Sequence, residues 1–186
     1  MALTLPGFNT PAVGFEQPFA MLEACHERVQ RTLALLQRLR DHVQALQGAA
    51  DEPARQAARD VLRYFDVAAP LHHEDEELHV FPLLLARGAP DVVALVRRLQ
   101  HDHACMAADW AAARLPLLAL AEGRQATFSA ADGAAFDRFA ARYDGHIAGE
   151  ESMAYPAAQA LLPPAELAPM GREMAARRGA PAPLRP

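Results

Sequence analysis

Residues 72–82 read His-His-Glu-Asp-Glu-Glu-Leu-His-Val-Phe-Pro, and residues 146–156 read His-Ile-Ala-Gly-Glu-Glu-Ser-Met-Ala-Tyr-Pro. In both stretches a His is followed after three residues by Glu-Glu, and after three more by an aromatic residue and Pro. On a helix, side chains four positions apart lie on one face, about 6 Å apart at Cβ. A His and a Glu at that distance can bind one metal ion or two adjacent ions. The repeated pattern therefore predicts a metal site built on helices.

The composition limits the class of protein. A chain of 186 residues is long enough for one domain with a core, and its alanine-rich content with 6% aromatic residues favours helix over sheet. The formal net charge of -5 offers no basic surface, so we expect no nucleic-acid partner. Two cysteines are most simply read as reduced thiols in a cytoplasmic protein. We expect no signal peptide and no membrane span, because no stretch approaches about 20 apolar residues.

Apolar residues at spacings of three, four or seven predict four long helices. The predicted order is an extended N-terminal arm over residues 1–17, a helical bundle over residues 18–163, and a short helix with a flexible tail over residues 164–186. Because the connections are short, neighbouring helices should run in opposite directions. The predicted fold is therefore all-α, an antiparallel up-down-up-down four-helix bundle.

Helix boundaries follow from Pro, Gly and capping residues. The first helix should begin at Pro18 and end at Gly48, and Asp51 should cap the second. Ser129 and Asp132 resemble a capping box before the fourth helix. We expect Pro70 to kink the second helix and Pro116 to kink or end the third, because Pro lacks the N–H that a helix needs.

Each predicted helix has one stripe of residues that should face the core. The stripe of the second helix consists of Val61, Phe65, Ala68, His72, Glu76, His79 and Leu83. The stripe of the fourth consists of Phe136, Phe139, Tyr143, His146, Glu150, Met153 and Ala157. Phe65, Met106, Trp110, Phe139 and Met153 are expected to be core residues that separate the site from water.

Six polar residues fall on these core-facing stripes: His26, His72, Glu76, His103, His146 and Glu150. In an antiparallel bundle all six lie at one level, because early positions of one helix face late positions of the next. The two halves of the chain repeat this arrangement. Burying two carboxylates without partners would cost several kcal/mol each, and a metal centre removes that cost.

The residue types restrict the metal. Imidazoles and carboxylates without thiolates suit iron, manganese or zinc, and iron where positions stay open for oxygen chemistry. Four His and two Glu do not fill two octahedral coordination shells. With the two carboxylates bridging two ions, open positions for dioxygen, nitric oxide, peroxide or water are therefore expected, and iron, manganese and zinc remain possible.

The two motifs, with one His each on the first and third helices, resemble the hemerythrin-like (HHE cation-binding) family over about residues 18–160. This resemblance implies a four-helix bundle that holds a non-haem di-iron centre with carboxylate bridges. By motif position it assigns the six stripe residues as ligands. Two departures from oxygen-carrying hemerythrins indicate the bacterial branch: the residue four after His103 is Ala107, and the last motif has Glu150 where those proteins have Asp after four intervening residues. Sensing, iron handling or stress chemistry is then favoured over reversible oxygen carriage.

Five further residues are candidates for supporting roles. His73 is a possible additional ligand, with a bundle-edge position as the alternative. His79 could lie above the site, Glu77 and Glu151 could hold ligand imidazoles by hydrogen bonds, and Tyr143 could offer a hydroxyl to a bound oxygen species. For each of them, ordinary packing or a solvated position is the competing interpretation.

Three functional hypotheses follow. We favour a non-catalytic di-iron protein that binds, senses or scavenges a small diatomic ligand or peroxide, or handles iron under oxidative stress. The second hypothesis is a di-iron enzyme, namely a peroxidase, an oxidase or a nitric oxide reductase. The third is a structural bundle that holds zinc or a single ion. A homodimer is compatible with all three.

Overall fold

The computed structural model describes residues 13–46 and 49–180, which form five helices. We number them in chain order. Helix α1 is Pro18–Ala45, α2 covers residues 52–87, α3 is Pro90–Ala121, α4 covers residues 130–161 and α5 is Pro164–Arg177. Helix α4 has a turn at residues 141–142, which separates Ala130–Ala140 from the segment that starts at Tyr143. The short C-terminal helix expected near residues 165–177 is present as α5.

Helices α1 to α4 form the predicted bundle, in which α2 packs on α1 and α3, and α4 packs on α3 and α1. The all-α fold predicted from the sequence is confirmed. The core is divided into two apolar clusters along the bundle axis. One contains Val29, Phe65, Met106 and Phe139, and the other contains Leu22, Phe81 and Leu99. The six polar stripe residues lie between these clusters.

Capping residues set the starts of the helices as predicted. Asp51 accepts a hydrogen bond of 2.9 Å from the backbone N–H of Ala54. The capping box is complete, because Ser129 accepts from the N–H of Asp132 and Asp132 accepts from the N–H of Ser129. The expectations for residues 1–12, for Gly48 and for residues 181–186 lie outside the described residues.

Prolines inside the helices are accommodated by wide turns. Three π-helical turns, Tyr64–Ala68, Glu76–Val80 and Glu150–Ala154, each end one residue before an X-Pro pair. In each turn the N–H before Pro donates to a carbonyl five residues back, as Phe81 does to Glu76 and Tyr155 to Glu150. The extra residue moves the backbone carbonyl away from the Pro ring, so the helix continues. Pro116 does not end its helix either, since α3 continues to Ala121.

The π turns shift the buried face of the helix by one residue. The expected core residue Met153 is 39% exposed, whereas Ala154, Tyr155 and Ala158 are fully buried. In α2, Val80 and Leu84 are buried, whereas His79 and Leu83 are only partly buried. The predictions for Met153, Ala157, His79 and Leu83 were therefore wrong in register, because they assumed an uninterrupted period of 3.6 residues.

Helix α5 covers one end of the bundle and is held by a buried ion cluster. The carboxylate of Asp75, which is fully buried, accepts hydrogen bonds from Arg177 and Arg178. The described end of the N-terminal arm lies on this helix, because a side chain at Gly171 would lie 1.8 Å from the carbonyl oxygen of Phe15. Arg178 also lies 5.6 Å from the centre of the Phe15 ring.

One described helix, Pro90–Ala121, is long and apolar enough to cross a membrane when judged by length and composition alone. We expected no such stretch from the sequence, and this helix contradicts that expectation. The criterion is weak evidence, because core helices of soluble proteins satisfy it too. In the structure this helix packs within the bundle and contributes His103 to the polar cluster. The expectation of no membrane partner stays a prediction.

Candidate metal centre

The structure brings all six stripe residues to one level of the bundle. Their exposed fractions range from 0% for Glu76 and Glu150 to 8% for His103. They form two clusters, in each of which the candidate ligand atoms lie within 4.8 Å of one another. The first cluster contains His26, His72, Glu76 and Glu150, and the second contains Glu76, His103, His146 and Glu150. Both carboxylates therefore belong to both clusters.

Each carboxylate directs one oxygen to each cluster. In Glu76, Oε1 lies 3.5 Å from Nε2 of His72, and Oε2 lies 3.4 Å from Nε2 of His103. In Glu150, Oε2 lies 3.1 Å from Nε2 of His26, and Oε1 lies 2.9 Å from Nε2 of His146. This is the arrangement in which two carboxylates can bridge two ions, while the imidazoles bind one ion each.

The centre contains buried acceptors that no protein donor satisfies. In the part of the chain that the structure describes, Oε2 of Glu76 and both side-chain oxygens of Glu150 are buried and accept no hydrogen bond. An unpaired buried carboxylate oxygen carries a large desolvation cost. A pair of divalent cations removes this cost, and the imidazole and carboxylate donors fit iron, manganese or zinc. The residues present therefore fit a two-ion centre.

Two glutamates outside the clusters hold imidazoles from the opposite half of the chain. Nδ1 of His26 donates to Glu151 over 2.8 Å, and Nδ1 of His103 donates to Glu77 over 3.0 Å. Glu77 also accepts a hydrogen bond of 2.7 Å from Gln100. With Nδ1 engaged, Nε2 of each imidazole is left to bind an ion.

The aromatic residues of the two motifs cover the same two imidazoles. Phe81 stacks on His103 with ring centres 5.5 Å apart, and Tyr155 stacks on His26 at the same distance. The Tyr155 hydroxyl donates a hydrogen bond to Oε1 of Glu76 and lies 3.2 Å from Nε2 of His26. Each motif therefore supplies one His to the cluster of its own half, one Glu to both clusters, and two supporting residues to the imidazole of the other half.

The family model described as "Hemerythrin HHE cation binding domain" matches residues 17–158. The chain belongs to this family. A relative from Haemophilus influenzae, which carries only the description "Uncharacterized protein", is 34% identical over 165 residues. The match covers 88% of this chain and 91% of the relative. The family resemblance drawn from the two motifs is confirmed, and with it the assignment of cation binding.

His73 lies at the edge of the hemerythrin-like centre. Its ring stacks on His103 with centres 4.0 Å apart, and it forms a third possible ligand group with His103 and His146. His73 is partly buried, unlike the other His of the centre. With His73 included, the second cluster contains three His, whereas the first contains two.

Two of the other candidates for supporting roles lie outside the hemerythrin-like centre. Nε2 of His79 lies 2.5 Å from Oε2 of Glu173 on helix α5, because the π turn rotates His79 away from the stripe. Tyr143 is buried against Phe65 and Phe139, with ring centres 5.9 and 5.4 Å away. It therefore packs in the apolar cluster next to the centre. The predicted supporting roles of His79 and Tyr143 at the ions find no contact in the structure.

Burial and close contacts set the protonation of the ligand residues. Burial raises the pKa of Glu150, but His146 and His26 lower it by more, to about 2. Burial lowers the pKa of His72 to about 4. Near neutral pH these two groups therefore already have the charge states in which they bind metal. Burial also lowers the pKa of His26, but contact with Glu150 outweighs it, so the pKa of His26 is raised above its ordinary value.

Tyr155 was the functional residue that sequence reasoning missed. It stands at the aromatic position of the second motif, where Phe81 occupies the first. Burial, together with the charges of Glu76 and Glu150, raises the pKa of its hydroxyl well above the ordinary value, so the hydroxyl stays a donor. The difference between Phe and Tyr at equivalent motif positions was the available signal, because a buried hydroxyl needs a partner.

Proposed function

We propose that this hemerythrin-like chain binds two non-haem iron ions and, through them, dioxygen, nitric oxide or peroxide. The observation that supports this most strongly is the division of each carboxylate, Glu76 and Glu150, between the two His clusters. Iron in such a centre supplies open coordination positions for small ligands of this kind. Sensing, scavenging or iron handling under oxidative stress are the physiological roles that we assign to this binding.

The residues around the ions have separable tasks. Glu151 and Glu77 orient His26 and His103 by hydrogen bonds to Nδ1. Tyr155 keeps Oε1 of Glu76 in place, and its ring excludes water from His26. We also propose that His73 binds the ion of the second cluster, because its ring lies beside His103 and close to His146.

The test is anaerobic reconstitution with Fe(II), followed by metal analysis and an optical spectrum before and after exposure to air. We expect about two irons per chain and an absorption band of an oxo-bridged pair in the near ultraviolet. His72→Ala should lose iron, whereas His101→Ala should retain it, because His101 is exposed on the outer face of α3. Iron content near zero in the wild-type protein would overturn the proposal, and preferential retention of manganese or zinc would reassign the metal.

The same samples separate the two alternative functions. Catalytic turnover with a reductant that His72→Ala abolishes would establish an enzyme, such as a peroxidase, an oxidase or a nitric oxide reductase. Zinc or one ion per chain, with loss of helicity on chelation and no redox response, would establish a structural metal bundle.

We propose a cytoplasmic location, supported by Cys25 and Cys105, which are both free thiols in the structure. No partner is assigned beyond the small ligand. Whether the chain forms a homodimer is tested by sedimentation of the iron-loaded protein.

A further inference from the structure

The two motifs differ at the positions by which the first one holds helix α5. Asp75 and His79 of the first motif correspond to Gly149 and Met153 of the second. Gly149 has no side chain that could bind a neighbour, and Met153 is uncharged and 39% exposed. The carboxylate and the imidazole at these positions therefore belong to the first half of the chain alone.

Helix α5 binds both of these groups. The buried carboxylate of Asp75 accepts a hydrogen bond of 2.6 Å from Arg178, and Nε2 of His79 lies 2.5 Å from Oε2 of Glu173. Asp75 directly precedes the candidate ligand Glu76, and His79 lies within the π turn that begins at Glu76. Helix α5 therefore holds the segment that carries one of the two carboxylates shared by the ion clusters.

The π turn Glu76–Val80 determines the direction of two side chains. In an α-helical register His79 would lie on the same face as Glu76, three positions earlier, whereas in the π turn it reaches α5. The same turn places Phe81 on the ring of His103, with ring centres 5.5 Å apart. The contact with α5 and the cover over a candidate ion ligand therefore depend on one backbone conformation.

Bound ions would act on the same segment from the inside of the bundle. Within the described residues, Oε2 of Glu76 is buried and accepts no hydrogen bond, and it lies 3.4 Å from Nε2 of His103. An ion held by these residues would fix both side chains in their present positions. Two binding events that favour one conformation of a shared element are coupled, and the coupling acts in both directions.

We propose that the docking of helix α5 is coupled to the occupancy of the metal centre, so that bound ions tighten α5 on the bundle and their loss loosens it. This inference rests on the proposed metal binding and adds a response to it, because the state of a buried centre then changes the surface of the protein. A released α5 exposes Met170 and Met174, which are 4% and 0% exposed in the docked helix.

Hydrogen exchange of the α5 amides tests the coupling. The experiment compares metal-free protein with protein loaded anaerobically with Fe(II), or with Zn(II), and elemental analysis counts the bound metal. We expect bound metal to slow exchange in Pro164–Arg177 about fivefold. This is the lower end of the usual range for coupled sites, because Glu173 is 42% exposed and its contact with His79 is partly screened by water.

Two variants remove the contact from either side. His79→Met copies Met153 of the second motif, and Glu173→Ala removes the partner on α5. In each of them metal should slow α5 exchange less than about twofold, while exchange in α3 still slows as in the wild type. The double variant should behave like either single one, because both changes remove the same contact. Glu166→Ala, an exposed change in the first turn of α5, is the matched control and should respond like the wild type.

Competition with a chelator measures the reverse effect. Because the coupling is reciprocal, His79→Met should weaken metal binding by up to the same factor, about fivefold. No slowing of α5 exchange in metal-loaded wild type, or equal slowing in the wild type and both contact variants, would overturn the coupling. Retention of zinc without iron would overturn the proposed iron binding and leave the zinc comparison as the test of the coupling. Retention of neither metal would overturn both.

Discussion

His26 donates a hydrogen bond of 2.8 Å from Nδ1 to Glu151, a residue 125 positions later in the sequence. The equivalent bond in the other direction joins His103 to Glu77. These two contacts cross between the halves of the chain, so each half fixes an imidazole that it does not contain. The centre therefore depends on both halves at once.

The first prediction concerns Glu151→Gln and Glu77→Gln. Replacing the carboxylate should weaken metal binding by about 10–100-fold, because the ligand imidazole loses the acceptor that orients it and raises its basicity. Competition with a chelator measures the affinity. Glu23→Gln, an exposed change on the same helix as His26, is the control and should bind metal like the wild type. Unchanged affinity in both variants would remove the orienting role.

The second prediction concerns the Tyr155 hydroxyl. In the metal-free protein, Tyr155→Phe should lower the free energy of unfolding by about 1.5–3 kcal/mol, because the buried Glu76 loses a donor to a charged acceptor. Tyr143→Phe, which removes a hydroxyl in the apolar cluster next to the centre, is the control and should change it less than Tyr155→Phe does. Denaturant unfolding measures both. Equal losses in the two variants would contradict the special role of Tyr155.

The third prediction concerns the ion cluster under α5. Arg178→Ala should destabilise the protein by about 3–5 kcal/mol, because Asp75 is fully buried and loses one of its two cationic partners. Arg172→Ala, on the exposed side of the same helix, should have little effect. Thermal unfolding compares the two variants. A small effect of Arg178→Ala would mean that Arg177 alone satisfies Asp75.

The fourth prediction concerns the pH dependence of α5 docking. Burial raises the pKa of Glu173, but hydrogen bonds from Arg177 and His79 outweigh it and lower the pKa below its ordinary value. A lowered carboxyl pKa contributes stability that is fully present above the pKa of the unfolded chain, about 4.3, and is lost as the pH falls through the folded-state value. Because Glu173 is 42% exposed, we expect a contribution below about 1 kcal/mol.

Glu173→Gln isolates this contribution. The difference in unfolding free energy between the wild type and the variant should be constant near neutral pH and shrink towards zero as the pH falls below about 4. Measuring both proteins at each pH cancels the titration of groups that do not contact Glu173. A difference that grows on acidification would have the wrong sign.

The six stripe residues could be predicted from the sequence, because polar side chains are unusual on an apolar stripe. Their positions along the bundle axis also agree between antiparallel helices. The prediction was wrong for Met153 and His79. Both lie within a π turn, and helical periodicity assumes a constant 3.6 residues per turn. The contacts of Glu77 and Glu151 were anticipated as alternatives, but their choice of partner across the halves depended on tertiary packing.

The π turns at Glu76–Val80 and Glu150–Ala154 have a consequence for any redesign of this bundle. Each shifts the buried face of its helix by one residue. The segment that carries the ligands and the segment after Pro must therefore be drawn on two different helical wheels. Replacing Pro82 by a residue with an N–H, at unchanged length, would allow the two wheels to merge. Phe81 would then leave His103, and His79 would turn towards the metal centre. In this fold a single proline decides which ring lies beside the metal centre.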